Sequence, residues 1–217
     1  FRGGLATTGQ MYQRFVFPVR NEHGQIHGFS GRDMTDSENR PKWKHIGTKS
    51  KWTYPLYMSP SIKTSIESTM EVILAESIGD MLNLHERGYH NCLVIFGLDI
   101  SPSLLCSLAS LSLGNIVIAT NNDSEKDYNR GLNSAVKNYL KLSSYFNYEK
   151  LSICLPTKND FGDMDSSDFE EWVDKKSNLD KTRQMKQVLK KSIEMLNAGL
   201  LPKTFSAKVN KLKKVLS

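Results

Sequence analysis

The sequence predicts an α/β protein in which a doubly wound parallel sheet follows a small, basic, β-rich α+β lead-in and precedes a basic helical tail. Three observations carry this. From residue 70 onward, short apolar runs alternate with amphipathic helical stretches, the grammar of a parallel sheet with crossover helices. Before that point the chain shows hairpin chemistry instead. Formal charge also divides into blocks, +6 over residues 1–64, −9 over 65–180 and +9 over 181–217, for the net +6 of the whole chain. An acidic centre suits cations and basic flanks suit a polyanion, although the tail is first expected to be a solvated amphipathic helix packing on the body.

In the lead-in, "QRFVFPVRNEHGQIHGFSGRDM" reads as a strand around Phe15–Val19, a turn at Glu22-His23-Gly24 and a second strand around Gln25–Gly31. "RPKWKHIGTKSKWTYPLY" reads as irregular, basic and aromatic, leading into a helix near residues 59–69. Next, "MEVILAES" gives a buried strand and "GDMLNLHERGYH" a helix stopped at Gly88. "NCLVIFG" is a strand, "SPSLLCSLASL" a helix with Pro102 in its first turn, and "NIVIAT" a strand. "NRGLNSAVKNYLKL" is a helix, "KLSICLP" a strand, and "SSDFEEWVDKK" a helix with a Ser167/Glu170 capping pair. From Asn178 the tail reads as two basic helices broken at Gly199 and Pro202. The expected divisions are thus 1–66, 67–177 and 178–217.

Composition excludes several classes. With 217 residues and 39% hydrophobic content, the chain can bury a real core. Its apolar runs fall short of the ~18 residues of a membrane span, so no membrane partner is expected. Cys92, Cys106 and Cys154 are far apart and the five histidines lack zinc-site spacing, so buried reduced cysteines, a cytoplasmic protein and no zinc are expected. The chain opens at Phe1 without a signal peptide, the expectation for a piece of a longer protein.

Open α/β sheets bind ligands beyond the carboxyl ends of their strands. Glu76 follows the first such strand and Asp80 lies four residues on. Asn121, Asn122 and Asp123 follow the third, and Asp160, Asp163 and Asp165 the fourth. Helix capping accounts for any one of these acids. Their convergence on one sheet edge asks for a cation, and hard oxygen ligands without His or Cys point to Mg²⁺ or Mn²⁺.

These residues resemble the Toprim fold of topoisomerases, DnaG-type primases and some nucleases, over roughly residues 68–175. That pattern has a glutamate after the first strand and an Asp-x-Asp after the third, holding divalent metal. The lead-in narrows the resemblance. "RFVFPVRNEHGQIHGFSGRDM" is similar to a primase segment running Arg-x-x-Phe-Pro, a turn with Gly, then Gly-Phe-x-Gly-Arg, and "RPKWKHIGTKSKWTYPLY" to one running Pro-Lys-Tyr-x-x-Ser to Leu-Tyr. Topoisomerases and simple Toprim nucleases lack this lead-in. The chain therefore resembles the RNA-polymerase core of a DnaG-type primase, of bacteriophage type. Asn121 stands where the family has its first aspartate, and Ser77 where it has a glycine. Asp127 lies near enough in sequence to compensate.

The resemblance implies templated RNA primer synthesis from NTPs on single-stranded DNA, by a nucleotidyltransferase using two or more Mg²⁺ or Mn²⁺ ions. It implies catalytic roles for Glu76, Asp80 and Asp123, and metal contact by Glu76, Asn121, Asp123, Asp160 and Asp163. Arg32, Lys42 and Lys51 match template- and nucleotide-binding positions, with Lys44, Lys49 and Trp43 beside them. Trp43, Trp52 and Tyr54 interleave with lysines as a base-stacking surface would, or else cover the core. The nascent primer and a replicative helicase, separate or fused, are the further implied partners, in a bacterial host's cytoplasm. Template contact or helicase docking are the other readings of the basic tail. A Toprim nuclease and a single-stranded-DNA-binding module with a decayed site are the competing readings.

Overall fold

The computed structural model describes residues 2–35, 37–124 and 129–217. Two four-stranded sheets form its framework. The first is antiparallel, in the order β1 (Gly4–Leu5), β2 (Arg14–Arg20), β3 (Ile26–Asp33), β4 (Trp43–Gly47). The hairpin forms as its turn residues require, with Gly24 at φ 75° and Asn21 Oδ1 accepting the N–H groups of His23 and Gln25. β4 arises from the stretch that reads as irregular. It is held by register to β3, Arg32 opposite Trp43 and Gly28 opposite Gly47, which local sequence cannot reveal.

The second sheet is parallel, in the order β6 (Cys92–Val94), β5 (Glu71–Ala75), β7 (Asn115–Ala119), β8 (Leu151–Ile153). Its helices are α1 (Pro60–Thr69), α2 (Ile78–Glu86), α3 (Pro102–Ala109), α4 (Arg130–Leu142) and α5 (Ser166–Ser177), followed by α6 (Lys181–Asn197) and α7 (Ser206–Leu216). Alternate strand residues serve two cores. Val72, Leu74, Ile116 and Ile118 face α1, α3, α4, α6 and α7, while Ile73, Ala75, Val117 and Ala119 face α2 and α5. Burial on both faces explains why these strands read as unbroken apolar runs.

The second core also takes in the antiparallel sheet. Phe17, Val19, Trp52 and Tyr54 pack with Ile73, Met81 and Phe96. Trp52 and Tyr54 are 2% and 0% exposed, so both belong to this seam and neither offers a face to a nucleobase. Phe96 stacks edge-on against Trp52 with centroids 4.7 Å apart, and against His45 at 5.9 Å. Gly28 makes room for Trp52, since a Cβ there would sit 2.5 Å from its ring.

Two sequence expectations are corrected. The cap of α5 is Asp165 with Asp168, not Ser167 with Glu170, because the helix is capped two residues earlier and Asp165 Oδ1 accepts the Asp168 N–H. Cys106 is exposed on α3, whereas Cys92 and Cys154 are buried. Gln184 of α6 covers the edge strand, its amide bonding both the N–H and C=O of Ile153 at 2.9 and 2.6 Å. That bond pair fastens the tail to the sheet, in keeping with an amphipathic helix packed on the body.

Candidate functional site

The carboxyl ends of β5, β7 and β8 meet at a cavity of about 570 Å³. Glu76, Ser77, Gly79 and Asp80 line it from the β5–α2 turn, Asn121 from the end of β7, and Asn159, Asp160, Gly162 and Asp163 from the loop after β8. Across from them stand Arg32 of β3 with Lys42 and Trp43 at β4, the Arg32 guanidinium 5.8 Å from the Trp43 ring centroid. Acids from one sheet thus face cations and an aromatic from the other.

Glu76 sits at the centre. The backbone N–H of Asn121 donates to its Oε2 at 3.2 Å. Burial pushes its pKa up, with the Asp80 and Asp123 carboxylates adding to the rise and Arg130 opposing it. Asp123 is therefore close enough to feel Glu76, and Arg130, at the head of α4, is a cation that the sequence motifs gave no reason to single out. The carbonyl Oδ1 of Asn121 is buried and has no hydrogen-bond partner among the described residues. A buried oxygen acceptor without a donor is a costly feature that a cation relieves. Asp127 lies outside the described residues.

Asp80 is differently employed. Its Oδ2 accepts the Ser77 N–H and hydroxyl at 3.0 and 2.7 Å, closing a capping box on α2, and its Oδ1 accepts the Phe161 N–H at 3.3 Å. Burial, with Asp160 nearby, raises its pKa to about 6 despite these donors. The motif Ser77-Ile78-Gly79-Asp80 could have announced the box. Asp160 Oδ1 likewise turns inward, accepting the N–H groups of Gly162 and Asp163, and Asp163 is exposed at the rim. Among the described residues, no three His, Cys, Asp or Glu side chains are grouped tightly enough to hold an ion by themselves. The oxygens that two strand ends bring together, the Glu76 carboxylate and the Asn121 carbonyl with the Asp123 carboxylate near enough to act on Glu76, fit a hard divalent metal.

The structure does not bring every expected residue here. Lys44 Nζ donates to Gln10 O at 2.9 Å, away from the cavity. Lys49 Nζ donates to Phe96 O at 3.1 Å, in a separate recess beside Asp99, and burial lowers its pKa. Lys51 is exposed on the 3₁₀ turn Lys49–Lys51 and does not line the cavity. Conversely, Arg87 at the end of α2 fastens the acidic loop, donating to Phe161 O at 3.4 Å and Met164 O at 2.7 Å. Its partners lie over 70 positions away, so no local motif marks it.

A DNA primase of Helicobacter pylori is 29% identical over 134 residues, covering 60% of this chain and 22% of the relative. One of Deinococcus radiodurans is 24% identical over 123 residues, 53% and 21% of the two chains, and one of Lactococcus lactis 31% over 88, 39% and 14%. The chain is similar in sequence to DNA primases over 39–60% of its length. It spans about a fifth of the length of the first of these primase relatives. No protein-family model matches it. Among solved structures, the DnaG primase catalytic domain bound to single-stranded DNA aligns at TM-score 0.65 and 15% identity, over 99% of this chain and 74% of that one. The RNA polymerase domain of Mycobacterium tuberculosis primase DnaG aligns at TM-score 0.64 and 15% identity, over 88% and 63%. The primase catalytic-core fold is therefore that of this chain, both sheets included.

Proposed function

We propose that this chain is the polymerising core of a primase, joining NTPs into short RNA on a single-stranded DNA template during DNA replication, with its parallel sheet acting as a Toprim unit. One observation carries the reading: a single cavity joins Glu76 and Asn121 on one wall to Arg32, Lys42 and Trp43 on the other. Phosphoryl transfer of this kind rests on positioning and neutralisation of charge rather than on covalent chemistry by the protein. Glu76, Asp123 and Asn121 Oδ1 would hold divalent metal, Mg²⁺ or Mn²⁺ and more than one ion, which neutralises phosphate charge when bound.

The remaining groups bind and orient. Arg32 and Lys42 neutralise the phosphates of the strand, and Trp43 gives a nucleobase a flat face, its ring steadied by Arg32. Asp80 orients: its bonds to Ser77 and Phe161 fix the start of α2 and the acidic loop against each other. Arg87 holds that loop from behind. Asn121 supplies a ligand without charge, so metal affinity is lower than an aspartate there would give.

The test is synthesis of labelled dinucleotide and short RNA from NTPs on single-stranded DNA with Mg²⁺ or Mn²⁺, using this chain and the full-length protein from its source. Synthesis that disappears in Glu76→Gln and rises in Asn121→Asp is the expected result. Silence of both wild type and Asn121→Asp in both forms overturns the reading and leaves a template-binding module.

A further inference from the structure

Trp43 and Arg32 stand between two cavities. On one side is the acidic cavity. On the other is a recess of about 400 Å³ lined by Phe15, Phe17, Met34 and Leu82, which shares Arg32, Trp43, Gly79 and Asn83 with the first. Its walls come from the inward row of the antiparallel sheet, where Phe15, Arg32 and Trp43 stand side by side, and from the exposed flank of α2. Phe15, Met34 and Leu82 are 36%, 55% and 36% exposed, although they are large apolar side chains at the mouth of a charged cleft. Single exposed apolar residues are ordinary; three around one recess, beside an aromatic and a guanidinium, form a surface that something covers.

We propose that this recess seats one unpaired nucleobase of the template strand, stacked on the far side of the Trp43–Arg32 wall from the metal-binding edge. The inference rests on the primase reading and adds to it a base-binding shelf made by Phe15, Met34 and Leu82. Charge chooses a nucleic acid over an apolar peptide, because Arg32 forms part of the shared wall and Lys42 lines the adjoining cavity. Templated synthesis chooses the template over the incoming nucleotide. The incoming base would be held by pairing and its phosphates by metal bound at the acidic edge, so the base left without a partner is the next one on the template. The recess offers one cation and one amide and is otherwise apolar, so it supports any base by its π-face and reads no base edge. Such indifference is what a template-reading enzyme requires at a position that has yet to pair.

The test places 2-aminopurine at successive positions of a thymidine-rich single strand and follows its emission and the binding affinity, with wild type, Phe15→Ala and Leu82→Gln. Leu82 is on the exposed face of a helix, so Leu82→Gln reports even if Phe15→Ala disturbs the sheet. Expected is quenching at one position on wild type, lost in both variants, with affinity down about 5- to 150-fold in Phe15→Ala, the range of a lost base stack. Unchanged quenching and affinity in both variants, while the strand still binds and is copied, overturns the shelf and leaves the primase reading standing. Quenching found only with the triphosphate of 2-aminopurine riboside overturns the template assignment in favour of the incoming nucleotide. A wild type that neither binds nor copies single strands removes the primase reading and the shelf with it.

Discussion

The backbone N–H of Asn121 donates to Oε2 of Glu76 at 3.2 Å, so the ends of two neighbouring parallel strands are tied together by a carboxylate that the surroundings otherwise desolvate. Asn121 lines the same cavity as Glu76, whose pKa is already raised by burial and by neighbouring acids. A second carboxylate in place of the Asn121 amide therefore has opposite effects in the absence and presence of metal.

Asn121→Asp lowers the stability of the metal-free protein, because like charges then crowd Glu76, and raises affinity for Mn²⁺ roughly tenfold. Thermal melts with and without Mn²⁺ check both signs: the variant melts below wild type when metal-free and gains more on metal addition. A variant melting above wild type without metal contradicts the account.

Gly131 opens α4 with its Cα against the Asn121 backbone, so that a Cβ would lie 1.6 Å from the Asn121 carbonyl oxygen. Gly131→Ala therefore pushes the loop carrying Asn121 and Asp123 outward. We expect a loss of about 1–3 kcal/mol in chemical denaturation and weaker metal binding from a chain that still folds.

Gln184→Leu keeps the volume of the side chain and removes both bonds to Ile153. The buried N–H and C=O of the edge strand are then unpaired, costing about 2 kcal/mol or more, and the strand becomes open to intermolecular pairing. Hydrogen exchange at Ile153 should quicken first, ahead of the amides of β5 and β7.

His45 sits edge-on to Trp52 and Phe96 with an unpartnered Nδ1, and burial, helped by Lys49, lowers its pKa to about 4. An unfolded histidine titrates near 6.5, so the unfolded chain takes up the proton first. The stability contribution is complete above about pH 6.5 and is lost as pH falls towards 4. His85 acts in the same direction, whereas Asp80, with its raised pKa of about 6, gains stability over the same fall. His45→Phe cancels only the first of these. Urea midpoints measured at pH 7.5 and 5 should show a smaller acid loss in the variant than in wild type.

The parallel sheet was legible because burial on both faces writes itself into "EVILA" and "NIVIA" as continuous apolar runs, and the acids follow directly after them. Glu76 and Asn121 could be placed for the same reason. The strand Trp43–Gly47 could not, because its pattern is set by pairing with Arg32 and Gly28 across a loop rather than by its own neighbours. Lys44 and Lys49 illustrate a related limit. A lysine's stem reaches several ångströms in any direction, so sequence proximity to Lys42 says little about where each ammonium goes. Arg87 is the converse case, a functional support whose partners the chain delivers only on folding.

The seam in which Trp52, His45 and Tyr54 pack around Phe96 has a bearing on modularity. Phe96 adopts a left-handed backbone, φ 56°, to turn its ring out of the parallel sheet and into the antiparallel one. The first 66 residues and the parallel sheet are therefore not interchangeable cassettes. A chimera that takes its lead-in from another relative must bring along its own equivalent of residues 94–97, or else the graft closes on a void beside its own acidic edge.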